Sequence, residues 1–139
     1  MNINMKIKYL VKHVASKELI TIEKEKKTRD VIELMLSNDI GSVIITDKGK
    51  PVGIVTDRDV LKKGGLIEGK EKSVGTYMST PLITIDSEAP IGEAAELMMD
   101  RDIRRLLVTE NNKIVGLVTQ KDLLGGCINA YRVVRLMEM

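Results

Sequence analysis

The sequence predicts an α/β (α+β) protein in which two copies of a strand–helix–strand–strand–helix pattern pack as one pseudo-two-fold module. The chain has 139 residues, 43% hydrophobic and 30% charged, a composition typical of globular domains. Residues 11–61 match residues 74–124 without a gap at 20 of 51 positions. Each copy, of about 50 residues, alternates short β-branched runs with segments of helical periodicity. One copy is too small to bury both faces of its own sheet, so the two are expected to pack together.

The first strand and the first helix of each copy follow from the spacing of apolar side chains. The runs Leu19–Ile22 and Leu82–Ile85 are rich in β-branched residues and predict strands. Thr28–Asn38 and Ile91–Arg101 carry apolar residues at helical spacing and predict amphipathic helices. Pro90 suits the start of the second of these helices, where a missing N–H costs nothing.

Each copy continues with a hairpin and a second helix. In the first copy, the strands Val43–Thr46 and Val52–Thr56 are joined by Asp47–Lys50, whose composition predicts a four-residue loop. A helix then begins at Thr56 or Asp57 and ends at Gly64-Gly65. The second copy repeats this scheme in Leu106–Thr109, Glu110–Lys113, Val115–Thr119 and a helix from Gln120.

These elements divide the chain into four parts. They are repeat 1 (8–66), a linker (67–73), repeat 2 (74–127) and an amphipathic C-terminal tail (128–139). Short helices are predicted to lead into the two repeats, at Tyr9–Ala15 and Val74–Met78. Gly125-Gly126 is a candidate boundary between the tail and the helix before it.

Composition excludes several classes of function. The net charge of +2 gives no broad basic surface for nucleic acid, and the absence of Phe and Trp removes stacking platforms for bases. Cys127 and His13 are the only cysteine and histidine, which excludes a disulfide framework and a structural metal cage. No apolar run reaches the length of a membrane span. These features predict a cytoplasmic protein that binds neither metal nor membrane.

The most specific pattern follows the last strand of each copy. Motif 1 is Gly53–Asp59 (GIVTDRD) and motif 2 is Gly116–Asp122 (GLVTQKD). A Thr followed three residues later by Asp is typical of a helix-capping box, which is the simplest interpretation. Two features favour an additional binding role. Each glycine interrupts a strand, which indicates close approach by another group, and Arg58 and Lys121 place cations in a first helical turn, where a phosphate would offset them.

Arg104 and Arg105, just before a buried strand, are a second candidate feature. Two solvated arginines in a loop are the simpler interpretation. The corresponding positions in the first copy are Gly41 and Ser42, so the fold does not require charge there.

The repeat, the strand order and the two Gly-h-h-Thr-x-x-Asp motifs (h, hydrophobic) together resemble a tandem pair of CBS domains, also called a Bateman module. The resemblance covers roughly Val11 to Leu124 and suggests a stand-alone CBS-domain protein. It implies a regulatory sensor rather than an enzyme. Such pairs bind adenosyl compounds (AMP, ADP, ATP or S-adenosylmethionine) in two clefts between the copies, signal to a partner by conformational change, and commonly form homodimers.

The resemblance also implies roles for individual residues. The motif Asp accepts hydrogen bonds from the ribose hydroxyls, the motif Thr lies by the phosphate, and the opposite copy reads the adenine. The first cleft is then formed by Gly53, Thr56, Arg58, Asp59, Ile83, Ile103, Arg104 and Arg105. The second cleft is formed by Gly116, Thr119, Lys121, Asp122, Ile20, Ile40, Gly41 and Ser42. Because the first cleft gathers three arginines, we expect phosphorylated ligands to bind there first.

Two alternatives to ligand sensing stay open. One is a structural or protein-interaction module with vestigial clefts, and the other is a nucleic-acid-binding protein, which the low net charge disfavours. An enzyme is the least supported class, because no nucleophile or acid–base pair is evident and no catalytic cofactor is expected. Apolar side chains on short helices, together with the amphipathic tail, predict a homodimer.

Overall fold

The computed structural model describes residues 9–64 and 72–138. The chain forms two compact units: a middle unit, Leu19–Leu82, and a terminal unit that joins the chain up to Glu18 with the chain from Ile83 onward. The elements in chain order are α1 (Val11–Val14), β1 (Thr21–Glu23), α2 (Thr28–Asn38), β2 (Ser42–Asp47), β3 (Lys50–Thr56), α3 (Asp57–Lys62), a 3₁₀ turn (Val74–Thr76), β4 (Thr84–Asp86), α4 (Ile91–Arg101), β5 (Arg105–Glu110), β6 (Lys113–Thr119) and α5 (Gln120–Glu138).

Each unit contains a three-stranded sheet of the same topology. In the middle unit the central strand β2 is parallel to β1 and antiparallel to β3. In the terminal unit β5 is parallel to β4 and antiparallel to β6. A parallel pair needs a long crossover connection, which α2 and α4 provide. The predicted α+β class, with two strand–helix–strand–strand–helix repeats, is confirmed.

The first helix of each repeat has the predicted bounds. α2 buries Val31, and α4 buries Ala94 and Met98, so each helix turns its apolar face to its own sheet. Each ends at an aspartate in the left-handed conformation, Asp39 with φ 50° and Asp102 with φ 51°. A short polar side chain tolerates this conformation better than most residues. The chain can therefore leave the helix sharply and enter the central strand.

The hairpin turns are shorter than predicted. Lys48-Gly49 and Asn111-Asn112 form the two turns, and all four residues have positive φ, from 51° to 80°. Two-residue turns of this kind match the right-handed twist of the flanking strands. The predicted four-residue loops are wrong, because Asp47 pairs with Lys50 and the matching Glu110–Lys113 pair also extends its ladder.

The first strand of each repeat begins later than predicted. β1 starts at Thr21 and β4 at Thr84. The residues before them still approach the central strands, since the Ile20 carbonyl accepts a hydrogen bond from Ile44 N–H at 2.9 Å. The Ile83 carbonyl makes the equivalent bond with the N–H of β5, at 3.1 Å. One hydrogen bond thus holds Ile20 and Ile83 next to the central strands, although neither residue is part of the paired strand.

The segment that leads into each repeat belongs to the unit built by the other repeat. In the terminal unit, Val11 of α1 lies in the core, and Ser16 pairs with Leu117 of β6. In the middle unit, Ser79 pairs in the same way with Ile54 of β3. Each compact unit therefore contains the sheet of one sequence repeat and the short first segment of the other repeat.

The repeat boundaries at 8–66 and 74–127 come from sequence self-similarity and stay predictions. Most of the predicted linker, 67–73, lies outside the described residues. Its end is fixed to the middle unit, because the Lys72 carbonyl accepts a hydrogen bond from Thr28 N–H at 3.0 Å.

The last helix, α5, is continuous from Gln120 to Glu138. A helix boundary at Gly125-Gly126 is therefore wrong, and the described part of the tail 128–139 extends the same helix. The glycine has a packing role instead. A Cβ atom on Gly126 would lie 2.9 Å from Val14 Cγ1, so the missing side chain lets α1 approach α5 closely.

Candidate ligand-binding site

Both motifs begin a helix with a reciprocal capping box. Thr56 N–H donates to Asp59 Oδ2 at 3.0 Å, and Asp59 N–H donates to Thr56 Oγ1 at 3.2 Å. Thr119 and Asp122 make the same pair of bonds at 2.9 and 3.1 Å. The capping interpretation of the Thr-x-x-Asp pattern is confirmed in both repeats. The capping bond is accepted by Oδ2 of each aspartate. What else the carboxylate can bind therefore depends mainly on the groups around Oδ1.

Each motif lies beside the helix-to-strand turn of its own repeat. Asp57 N–H donates to the Gly41 carbonyl at 2.9 Å, and Gln120 N–H donates to the Arg104 carbonyl at 2.9 Å. Within each unit, the motif and the turn thus meet at one end of the sheet. The predicted clefts combine the motif of one repeat with the turn of the other, and that combination stays a prediction.

The predicted site residues differ in their exposure to solvent. Charged side chains are exposed at Arg58, Arg104 and Lys121, and half-buried at Arg105. The aliphatic candidates are half-buried: Ile20, Ile40, Ile83 and Ile103. Ser42 is buried and Gly41 is half-buried. Each unit therefore presents exposed cations and partly exposed aliphatic surface near its motif.

The two motif glycines are approached closely by the chain itself. A Cβ atom on Gly53 would lie 2.5 Å from Met78 Sδ, and one on Gly116 would lie 2.6 Å from the Ser16 carbonyl oxygen. The sequence pattern correctly indicated a close neighbour at both positions. In the middle unit this neighbour belongs to the segment that leads into repeat 2, and in the terminal unit it belongs to the segment that leads into repeat 1. Packing within each unit therefore explains both glycines.

The carboxylate of Asp59 has several partners besides its cap. The Ser79 hydroxyl lies 3.2 Å from both carboxylate oxygens, and Lys63 Nζ lies 3.5 Å from Oδ1. The residue is only 8% exposed. Sequence reasoning missed Ser79, which lies outside the motif.

Ser79 and its counterpart in the other repeat make different side-chain hydrogen bonds. Its counterpart at the repeat offset is Ser16, whose Oγ accepts a hydrogen bond from Glu18 N–H at 3.2 Å. The position equivalent to Glu18 is Pro81, which has no N–H to donate. Ser79 therefore accepts no such local bond, and its hydroxyl donates to Asp59. The Pro-for-Glu difference is the signal that could have found this contact.

The surroundings of Asp122 are simpler. Its Oδ2 accepts the Thr119 N–H bond, and no hydroxyl or ammonium group among the described residues bonds to its carboxylate. The residue equivalent to Lys63 is Gly126, which has no side chain to offer. Asp122 is half-buried, whereas Asp59 is buried.

A buried hydroxyl pair lies in the core of the middle unit. Thr28 Oγ1 and Tyr77 OH are 2.8 Å apart. Burial raises the pKa of the Tyr77 phenol above its usual value, and the charge of Asp59 adds to this effect, while the bond to Thr28 opposes it. The equivalent of Tyr77 in the terminal unit is Val14, so the pair of hydroxyl groups has no counterpart there.

Two further classes of site were sought in the part of the chain that the structure describes. No group of three or more His, Cys, Asp or Glu residues there is arranged to hold a metal ion. No helix there combines the length and the apolar character needed to cross a bilayer.

The duplicated sheet topology and the paired motifs define the class of protein. The model of the CBS domain family matches residues 11–65 and 74–128. The chain belongs to the CBS domain family, whose domain pairs are regulatory modules.

Particular relatives refine this assignment. An uncharacterized protein of Methanopyrus kandleri is 37% identical over 119 residues, which cover 82% of this chain and 60% of that protein. The chain thus spans less than two thirds of that relative. A crystal structure of an uncharacterized conserved protein from Pyrococcus horikoshii has a TM-score of 0.79 at 29% identity, covering 87% of this chain and 93% of that one. The CBS domain pair of protein MJ0100, crystallised in complex with 5′-methylthioadenosine and S-adenosyl-L-methionine, has a TM-score of 0.75 at 29% identity, covering 86% and 98%.

Proposed function

We propose that this chain is a regulatory module that binds an adenosyl compound and signals to a partner protein by conformational change. The observation that carries the proposal is the pair of motif aspartates, Asp59 and Asp122, each oriented by the N–H of its own threonine. A carboxylate held in this way can accept the hydroxyls of a ribose cis-diol through charge-assisted hydrogen bonds where its other acceptor positions are open. The candidate ligands are AMP, ADP, ATP and S-adenosylmethionine.

The proposed binding sites are the two clefts assigned from the family resemblance. With few aromatic residues in the chain, aliphatic side chains such as Ile103 and Ile40 are proposed to form the walls for adenine. Arg104 and Arg105 are proposed to meet a phosphate. The adenosyl ligands in the structure of the MJ0100 domain pair support this ligand class. A cytoplasmic location belongs to the same proposal, because the single cysteine, Cys127, suits a reducing compartment.

A thermal-shift panel of adenosyl compounds tests the proposal. A ligand present at 100 times its dissociation constant adds about 2.7 kcal/mol to the free energy of unfolding, so binding raises the melting temperature measurably. Guanosine at the same concentration is the matched control for adenine recognition. A melting temperature that no adenosyl compound raises would contradict the proposal and favour the module with vestigial clefts.

We also propose that the protein is a homodimer. Leu124, Ile128 and Tyr131 of α5 are exposed and are spaced to share one face of the helix. A two-fold contact between such faces would cover them in both copies. Light scattering should give about twice the monomer mass of 15.5 kDa, and Ile128→Asp should lower it. Leu36→Asp, at an exposed position of α2, is the control, and a mass of 15.5 kDa for the parent protein would contradict the dimer.

A further inference from the structure

The two motif aspartates differ in what their carboxylates can still accept. A ribose cis-diol brings two O–H donors and needs open acceptor positions on the carboxylate oxygens. At Asp59, the Ser79 hydroxyl lies 3.2 Å from both oxygens, and Lys63 Nζ lies 3.5 Å from Oδ1. The Ser79 hydroxyl therefore takes up an acceptor position on the Asp59 carboxylate and competes with a diol hydroxyl for it.

Ser79 is held at this position by its backbone. Its N–H donates to the Ile54 carbonyl at 2.8 Å, and its carbonyl accepts from Ile54 N–H at 3.1 Å. This pair of bonds fixes the segment to β3 at Ile54, the second residue of motif 1. Pro81 offers no local N–H to the Ser79 oxygen, and the hydroxyl donates to Asp59.

In the part of the chain that the structure describes, Asp122 has no competitor of this kind. Ser16 is held to β6 by the equivalent backbone bonds, at 2.8 and 2.9 Å to Leu117, but its side chain bonds to Glu18 N–H. Among the described residues, the Asp122 carboxylate has no side-chain partner beyond its own capping box. Its Oδ1 is therefore available to a diol hydroxyl.

We propose that Ser79 closes Asp59 to a ribose diol, so that carboxylate recognition of an adenosyl ligand occurs at Asp122. This inference rests on the proposed function and makes Ser79 the residue that sets the difference between the sites. The predicted second cleft holds one cation, Lys121, where the first holds three arginines. The ligand class proposed for Asp122 is therefore an adenosyl compound with little or no negative charge, such as 5′-methylthioadenosine. A phosphorylated ligand at the first cleft would depend on the arginines and little on Asp59.

Calorimetric titration of the full chain with 5′-methylthioadenosine tests this assignment. Asp122→Asn should weaken binding by about 10- to 150-fold, the range for hydrogen bonds to a charged group, and by more than Asp59→Asn does. Ser79→Ala should add a second binding event or raise the stoichiometry. Ser16→Ala removes the equivalent hydroxyl and is the matched control, expected to leave the stoichiometry unchanged.

The outcomes separate this inference from the proposed function. If no adenosyl compound binds the parent protein, the proposed function fails and the assignment fails with it. If 5′-methylthioadenosine binds but Asp59→Asn weakens it more than Asp122→Asn, only the assignment to Asp122 is overturned. Equal stoichiometry in Ser79→Ala and Ser16→Ala would overturn the role of Ser79, and melting curves of both variants establish that they are folded.

Discussion

The middle and terminal units share a sheet topology, a strand register and a capping box, yet they surround their motif aspartates differently. Asp59 is buried beside a hydroxyl and an ammonium group, whereas Asp122 is half-buried and, among the described residues, its carboxylate bonds only within its capping box. The differences come from positions outside the motif: Lys63 matches Gly126, and Pro81 matches Glu18. Duplication has kept what the backbone requires, while the side chains around it have diverged.

This comparison separates two roles that the family motif combines. In the middle unit, the aspartate joins α3 to the segment at Ser79, which is a stabilising role. In the terminal unit, no side chain among the described residues bonds to the Asp122 carboxylate outside its capping box, which is the arrangement that our proposal requires. The Gly, Thr and Asp residues that the two motifs share do not reveal this difference in surroundings.

The largest expected effect contrasts the two motif glycines. A methyl group on Gly116 meets a backbone oxygen at 2.6 Å, so Gly116→Ala should cost about 3 kcal/mol of unfolding free energy. At Gly53 the nearest atom, at 2.5 Å, is the end of the Met78 side chain, which can move, so Gly53→Ala should cost about 1 kcal/mol. Urea unfolding measures both. Gly92→Ala, with nothing within 4 Å, is the control and should stabilise α4. Equal losses at the two motif glycines would contradict the packing described.

The next effect contrasts the aspartates themselves without ligand. Asp59→Ala removes the carboxylate half of its capping box and the bonds to Ser79 and Lys63, and should cost about 2 kcal/mol of unfolding free energy. Asp122→Ala removes the carboxylate half of its capping box and should cost about 1 kcal/mol. Urea unfolding at neutral pH distinguishes these values. A larger loss at Asp122 would show that Asp59 is not the more strongly anchored residue.

The smallest effect concerns Tyr77, which only the middle unit has. Tyr77→Phe removes the bond to Thr28 and should cost about 1 kcal/mol. Because burial raises the pKa of Tyr77, the folded state holds the phenol proton more tightly than the unfolded state. This contribution is complete below about pH 10, the ordinary tyrosine value, and is lost as the pH rises through the raised pKa. Melting curves from pH 9 upward should fall less steeply for Tyr77→Phe, and parallel curves would contradict the assignment.

Most of the fold was predictable because it depends on periodic patterns. The bounds of α2 and α4 follow from apolar spacing, and the strands follow from their β-branched runs. The length of the loop around Lys48-Gly49 was overestimated. Whether the flanking polar residues pair depends on the twist of the hairpin and not on their composition. The continuity of α5 through Gly126 depends on close packing against Val14, a contact between distant parts of the chain.

The candidate site was predictable only as far as its motif residues. The cap bonds at Thr56 and Thr119 were expected from a local pattern. The bond from Ser79 to Asp59 joins residues that are distant in sequence, and it depends on where the lead segment of a repeat docks. No periodic signal reports such docking.

The central claim is that Asp122, and not Asp59, bonds to the ribose of an adenosyl ligand. The most direct measurement is the ¹³C carboxylate resonance of each aspartate, assigned by Asp59→Asn and Asp122→Asn, during titration with 5′-methylthioadenosine. The Asp122 resonance should shift with ligand saturation while the Asp59 resonance keeps its position. A saturating shift of Asp59 with a stationary Asp122 would contradict the claim.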